Sequence, residues 1–246
     1  MLGYLLARAG VEVMVLEKHD DFLRDFRGDT IHPSTLTVLD DLGLLEDFLR
    51  LPHQEIAELT GEVYGEVVTI ADFRALPAAR PFLVLVPQWD FLDFIAGRAR
   101  EFSNFTLHMG ARATDVIEEG GRVTGVEVET ADRRFAVRAD LVVAADGRHT
   151  TLRPGAGLAS IDTGAPIDVL WFHLPRDPVR HPSRTGGIIA PGSMLVTLNR
   201  ESYWQCAYVI PKGALADVQA QGLDAFRTRV GTIAPFLAQE AATLAS

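Results

Sequence analysis

The first nineteen residues, MLGYLLARAGVEVMVLEKH, constrain the fold more than any other stretch of the chain. Leu2, Leu5, Leu6 and Ala9 recur at i, i+3, i+4 and i+7, which predicts one face of a helix, and Gly10 stands where a helix stops. Val11 to Leu16 is almost continuously apolar and ends at Glu17, the pattern of a strand buried on both faces of a parallel sheet. A helix followed by such a strand, with a carboxylate at its tip, reads as the second half of a βαβ nucleotide-binding unit. In that unit a glycine-rich turn precedes the helix, and an acidic residue about 20 positions later accepts ribose hydroxyls. Counting back from Glu17 puts the turn before Met1, so the expected sheet lacks its first strand within this chain.

Composition narrows what such a unit can serve. At 246 residues and 48% hydrophobic content the chain can bury a sizeable core. A net charge of -10 argues against a nonspecific polyanion binder, because nucleic-acid affinity rests on a basic surface that neutralises phosphates. Lysine occurs only at positions 18 and 212, so recognition of an anion would fall to planar arginine forks. The single cysteine, Cys206, excludes an intrachain disulfide and fits a reducing compartment. No apolar run approaches the roughly 18 residues needed to span a bilayer. Arg8 interrupts the short apolar stretch at the start, which has no basic region of a signal peptide. These features predict a cytoplasmic protein with no membrane span and no nucleic-acid partner; they leave the oligomeric state open.

A polar connection, KHDDFLRDFRGDTIH, leads to Pro33 at a first helical position, with Leu36, Leu39 and Leu42 following and Gly43 as the stop. Residues 58–72 and 82–86 read as strands, and Gln88 opens a helix in which Phe91, Leu92, Ile95, Ala99 and Phe102 share a face. The strand signals that follow, with Gly120-Gly121 supplying the positive φ of a tight hairpin, predict an antiparallel meander feeding one buried strand, Leu141 to Ala145. Beyond it DVLWFHL, SMLVTLN and YWQCAYVI are β-rich and aromatic and predict a second sheet, followed by helices over 215–230 and 233–245. The predicted fold class is α/β, with a Rossmann-like domain lacking its first strand, an antiparallel β-meander and a mixed β-sheet domain. Boundaries are expected at 1–57 with 88–157 for the first domain and at 58–87 with 158–246 for the second.

Asp146 ends the second buried run, and in open α/β sheets ligands bind beyond the carboxyl ends of strands. Glu17 and Asp146 would then share a rim, able to accept ribose or ribityl hydroxyls, and Gly147 would let a ligand approach the backbone. By itself an Asp-Gly pair is an ordinary turn, and a carboxylate at a strand end can simply be solvated. Other chemistries find no support: there is no Gly-x-Ser-x-Gly elbow, and the seven histidines show no His-Glu-x-x-His spacing, so no metal site is expected.

In this order, VMVLEKHDDFLRDFRGDTIHPSTLTVLDDLGL, VPQWDFLDFI and ADLVVAADGRHTTLR resemble the flavin-dependent aromatic hydroxylases, the p-hydroxybenzoate hydroxylase-like monooxygenases. The third stretch resembles the family's Asp-Gly motif at Asp146, Gly147, Thr150 and Arg153. WFHLPRDP and YWQCAYVIPKG resemble the substrate-domain sheet of polyketide-type members. The resemblance implies FAD as cofactor, NADH or NADPH as reductant, and transfer of an oxygen atom from O2 to a small aromatic or polyketide-like substrate. It implies Glu17 on the adenosine ribose, Arg27 near the pyrophosphate and the nicotinamide, Gln88 at the ribityl-phosphate portion, and Asp146 with Gly147 along the linker of FAD. Gly3 would be the small residue under the first helix, and Arg153 a brace for the motif. No side chain need act as a nucleophile, so no catalytic residue is named; Trp171, His173, Trp204 and Gln205 are candidates for lining a substrate pocket.

Two features of the family pattern have no counterpart here: the Gly-rich turn ahead of the first helix and a later Gly-Asp motif. The only Gly-Asp pair, Gly28-Asp29, lies elsewhere. The chain therefore reads as the middle of a longer flavoenzyme, and weak FAD retention is expected of these 246 residues alone. Two alternatives stay open, a related flavin halogenase or reductase, and a catalytically inactive remnant or interaction module.

Overall fold

The computed structural model describes residues 1–23, 29–147, 149–181 and 185–245. In chain order, α1 (Leu2–Arg8) and β1 (Val13–Leu16) are followed by β2 (Thr30–Ile31), α2 (Pro33–Asp41), α3 (Leu45–Phe48) and β3 (Gln54–Ile56). Next come β4 (Glu58–Val63), β5 (Glu66–Asp72), β6 (Leu83–Leu85), α4 (Gln88–Ala99), β7 (Phe105–His108), β8 (Arg112–Glu119), β9 (Arg122–Glu129) and β10 (Arg134–Arg138). The remainder is α5 (Leu152–Gly155), β11 (Ile167–Pro175), β12 (Gly186–Ala190), β13 (Ser193–Asn199), β14 (Tyr203–Pro211), α6 (Leu215–Ala220), α7 (Leu223–Ile233) and α8 (Ala238–Ala241). Two compact units result, Met1–Asp25 with Trp89–Thr163, and Phe26–Gln88 with Gly164–Ser246.

In the first unit β1 pairs in parallel with β7, from Val13 opposite Phe105 to Leu16 opposite His108. Helix α1 lies on this pair with Tyr4 and Ala7 buried. A Cβ on Gly3 would stand 2.9 Å from Val15 Cγ2 and 3.0 Å from Phe105 Cε2, so glycine permits the close approach. The predicted leucine face is therefore not the buried one, and Leu2 and Leu5 are 49% and 38% exposed. A helix this near a sheet must present its smallest side chains, and Gly3 and Ala7, four residues apart on one face, meet that need where leucines cannot. Asn104 Nδ2 donates to the carbonyls of Ala7 and Val11, at 2.9 and 2.6 Å, and stitches the end of α1 to the segment entering β7.

Strands β8, β9 and β10 form the expected antiparallel meander, turned by Gly120 and Gly121 at φ +60° and +79°. The run Leu141–Ala145 corrects the sequence reading. It forms no strand, and Leu141 and Val143 are 76% and 53% exposed. A doubly buried parallel strand persists only between hydrogen-bonding neighbours under covering helices. Among the described residues β1 has β7 on one edge and no strand on the other.

The second unit holds a six-stranded mixed sheet in the order β11-β14-β13-β12-β4-β5, in which β12 and β4 alone run parallel. A separate antiparallel sheet joins β2, β6 and β3. The stretch 58–72 is a hairpin turned at Tyr64 and Gly65, with φ 51° and 86°. Strand β12, GGIIA, was not expected, since paired glycines read as a turn. Gly222, at φ +81°, splits the helix predicted over 215–230 into α6 and α7, and Pro235 interrupts the next before α8. One face of the large sheet carries the core: Phe172, Leu174, Leu195, Trp204 and Cys206 pack against Phe226 and Val230 of α7 and Leu237.

Candidate cofactor and substrate site

Glu17 follows β1 directly. Its backbone N–H donates to the His108 carbonyl at 2.9 Å, its carbonyl accepts from Ala111 N–H at 2.8 Å, and its carboxylate accepts from His19 N–H at 3.0 Å. Asp146 is exposed, and Gly147 has φ +87° with nothing within 4 Å of where a Cβ would stand. Thr150 N–H donates to the Gly147 carbonyl at 3.3 Å, and its hydroxyl accepts from Leu152 N–H at 3.2 Å, so the Asp-Gly turn feeds α5.

The two acidic positions were expected at the tips of neighbouring parallel strands. Instead, the neighbour of β1 is β7, and Asp146 follows an irregular segment. What links them is an apolar cluster of Ala111, Val126, Val128 and Leu152, against which Leu16 and Val142 pack. Leu16 adjoins Glu17, and Val142 and Leu152 flank Asp146, so both carboxylates are carried by segments rooted in the same cluster.

Arg27 lies outside the described residues. Gln88 is the first residue of α4, and its backbone N–H donates to Asp29 Oδ1 at 3.1 Å. Asp29 is a site the sequence reading passed over. Its side chain is 1% exposed, that of Arg200 is 6% exposed, and Arg200 Nη2 stands 3.6 Å from Asp29 Oδ2. The Gln205 side chain hydrogen-bonds the same carboxyl. Burial pushes the Asp29 carboxyl above the usual carboxylate range, opposed by the Arg200 charge and by the hydrogen bonds from Gln88 and Gln205. A faint signal existed in the sequence: an aspartate directly before the apolar TI of a strand, in a chain where buried acids need partners.

The substrate candidates divide between the faces of the six-stranded sheet. Trp204 is fully buried on the helix-covered face, its ring 5.7 Å from that of Phe236 and 5.3 Å from the Arg176 guanidinium carbon. On the opposite face His173 stands across from Gln205 and Trp171 across from Ala207. The register continues from Ala207 to Val196, Gly187, Gly61 and Val68, a row that crosses all six strands. Its centre is small: nothing lies within 4 Å of a Cβ built on Gly187, and a Cβ on Gly61 would meet Ile70 Cδ1 at 2.5 Å and the Gly187 carbonyl oxygen at 3.3 Å. On this face Trp171 is 37% exposed, whereas Gln205 and Ala207 are 1% and 5% exposed.

A helix and parallel strand ending in an acid, an Asp-Gly turn rooted in the same cluster, and a separate mixed sheet are the parts of a nucleotide-cofactor α/β protein. The chain belongs to the FAD-binding domain family, whose pattern its residues 1–235 match. It is 34% identical over 174 residues to a 6-methylpretetramide 4-monooxygenase of Streptomyces rimosus, covering 70% of this chain and 42% of that protein. The fold resembles that of a p-nitrophenol 4-monooxygenase from Pseudomonas putida DLL-E4, with a TM-score of 0.78 and 21% identity over 94% of this chain and 59% of that one. It is also similar to the myxobacterial chondrochloren halogenase, with a TM-score of 0.80 and 17% identity over 100% of this chain and 57% of that one. The chain spans about two fifths of the length of the curated relatives it matches. Among the described residues no helix is long and apolar enough to cross a membrane.

Proposed function

We propose that this chain supplies the flavin-holding core and the substrate platform of an FAD-dependent aromatic monooxygenase. The observation that carries the reading is the shared rooting of Leu16, Val142 and Leu152 in one apolar cluster, which ties Glu17 and Asp146 into one compact unit of an FAD-binding family member. Glu17 offers a carboxylate to the ribose hydroxyls, Asp146 offers one to the linker, and the open space at Gly147 admits the ligand to the backbone. By resemblance, Arg27 and Gln88 serve other portions of the flavin. When bound, FAD supplies reduction by a nicotinamide and transfer of oxygen to an electron-rich ring. The side chains hold and orient: Trp171 and His173, exposed on β11, face a flat aromatic or polyketide-like substrate, while Gln205 and Trp204, both buried, brace the sheet.

A titration of FAD followed by flavin fluorescence tests the reading. Glu17→Ala and Asp146→Ala should each raise the Kd several-fold with unchanged circular dichroism. Equal Kd values in the two variants and the parent chain would remove both residues from the site.

A further inference from the structure

Asp29 grips the segment that enters α4 at two points. Its backbone carbonyl accepts from Val86 N–H at 3.0 Å, one step beyond the β2–β6 ladder in which Thr30 stands across from Leu85. Pro87 has no N–H to give, so the ladder ends there. The next donor, Gln88 N–H, goes to Asp29 Oδ1 at 3.1 Å. An N–H in the first turn of a helix has no partner within the helix, and this one finds its acceptor 59 positions away in sequence. Asp29 is only 2% exposed. Its charge is met by Arg200 at 3.6 Å, an ion pair too long for a hydrogen bond, and its carboxyl is also held by the Gln205 side chain. Burial pushes the carboxyl above the usual carboxylate range in spite of these partners. A buried pair of this kind is a poor source of stability, and what it supplies instead is a fixed place for the backbone it holds.

We propose that Asp29 is a positioning residue for the flavin site: by holding the backbone on both sides of Pro87, it fixes the direction in which the Gln88 side chain leaves the start of α4. The carboxyl is itself held in place by Arg200, between β13 and β14, and by Gln205 of β14. Asp29 touches neither cofactor nor substrate and acts only through Gln88. The inference rests on the flavin reading above, in which Gln88 serves FAD by resemblance, and it adds a residue to which that resemblance gives no part.

The test compares D29N/R200Q with D29L/R200Q in FAD titrations of the whole chain followed by flavin fluorescence. Both variants remove the two buried charges together, so neither strands one without its partner. Only the asparagine keeps an oxygen that accepts from Gln88 N–H. D29N/R200Q should bind FAD within about twofold of the parent chain, and D29L/R200Q about three- to tenfold more weakly, the worth of one hydrogen bond. Amide hydrogen exchange at Gln88 in the ligand-free proteins should rise in D29L/R200Q alone. The decisive readout is coupling. Once Gln88→Ala has removed the side chain to be positioned, the two double variants should bind FAD equally, whereas a purely structural part for Asp29 would leave their ratio unchanged. Should D29L/R200Q fail to fold, Asp29→Glu takes its place against the parent chain, because it keeps the ion pair and moves the acceptor by one methylene. Equal FAD affinities in the first comparison, or a ratio that survives Gln88→Ala, overturns the proposal. Glu17→Ala and Asp146→Ala, titrated alongside, separate the two readings. If they weaken binding and the Asp29 variants do not, the flavin site stands and Asp29 has no part in it. If they leave binding untouched, or the parent chain takes up no FAD, the flavin reading falls and the proposal falls with it.

Discussion

The six-stranded sheet of the second unit and the parallel pair of the first are written in similarly apolar segments, yet every segment of the one finds its ladder, while LVVAA in the other finds none. The difference lies in where partners come from. Strands β12, β13 and β14 follow one another through short turns, so each meets its neighbour at little cost in loop closure. A parallel strand depends on segments far away in sequence, and β1 reaches β7 only across residues 17–104. Apolar content alone makes a segment fit to be buried; a neighbouring edge makes it a strand.

The strongest way to break this comparison is in the paired sheet. Trp204→Ala removes a fully buried ring from the core beneath α7 and α8 and should cost about 3–5 kcal/mol in urea unfolding. A loss below about 1 kcal/mol would show that the sheet is not the rigid partner described. Next in size is Gly186→Ala. Its Cβ would stand 2.2 Å from the Thr60 carbonyl oxygen at the parallel β12–β4 join, and backbone cannot yield as a side chain can. A cost of about 2–3 kcal/mol is expected. Gly3→Ala meets only the tips of Val15 and Phe105 and gains helix propensity of up to about 1 kcal/mol, so it should cost far less. A reversal of that order in the same assay would break the distinction.

Much of this was legible in advance because it is local. The hairpin turn at Gly120-Gly121, Pro33 at the start of α2, the aromatic strands β11 and β14 and the aliphatic β13 announce themselves through residues a few positions apart. The buried face of α1 was misread because periodicity marks the larger leucines, whereas close packing on a sheet selects Gly3 and Ala7. Strand β12 was missed because its glycines satisfy a neighbouring backbone, as Gly186 does against Thr60, a contact between positions 126 apart in sequence. Glu17 was singled out from its place directly after β1, whereas Asp146 and Gly147 were singled out as the end of a strand that does not form. Asp29 left only the faint mark of an acid ahead of a strand, and Arg200 none, since their pairing joins a loop to a distant hairpin.

A subtler probe of the paired sheet is its single thiol. Burial pushes Cys206 up to about 12 from the ordinary 9.0. A folded pKa above the unfolded value means that the contribution to stability is fully present below about pH 9 and is lost as the pH rises toward 12. Between those limits the chain should lose up to about 1.4 kcal/mol per pH unit relative to Cys206→Ala. Urea melts of both proteins from pH 8 to 10.5 measure the difference. Parallel curves would mean that the centre of the sheet is open to water.

The smallest effects sharpen the other side of the comparison, because they lie within the run that finds no ladder. If LVVAA were a doubly buried strand, truncating Leu141 and Val142 would cost similar amounts. Instead Leu141 is 76% exposed, and Val142 packs on the cluster of Val126, Val128 and Leu152 that roots the Asp-Gly turn. Leu141→Ala should therefore change stability by less than about 0.5 kcal/mol, the range of surface substitutions, while Val142→Ala should cost about 1 kcal/mol in lost burial. Only the second should also weaken FAD binding, because it loosens the segment that carries Asp146. Equal losses in the two variants would mean that the run is paired in solution, and the contrast between local and distant partners would then no longer explain it.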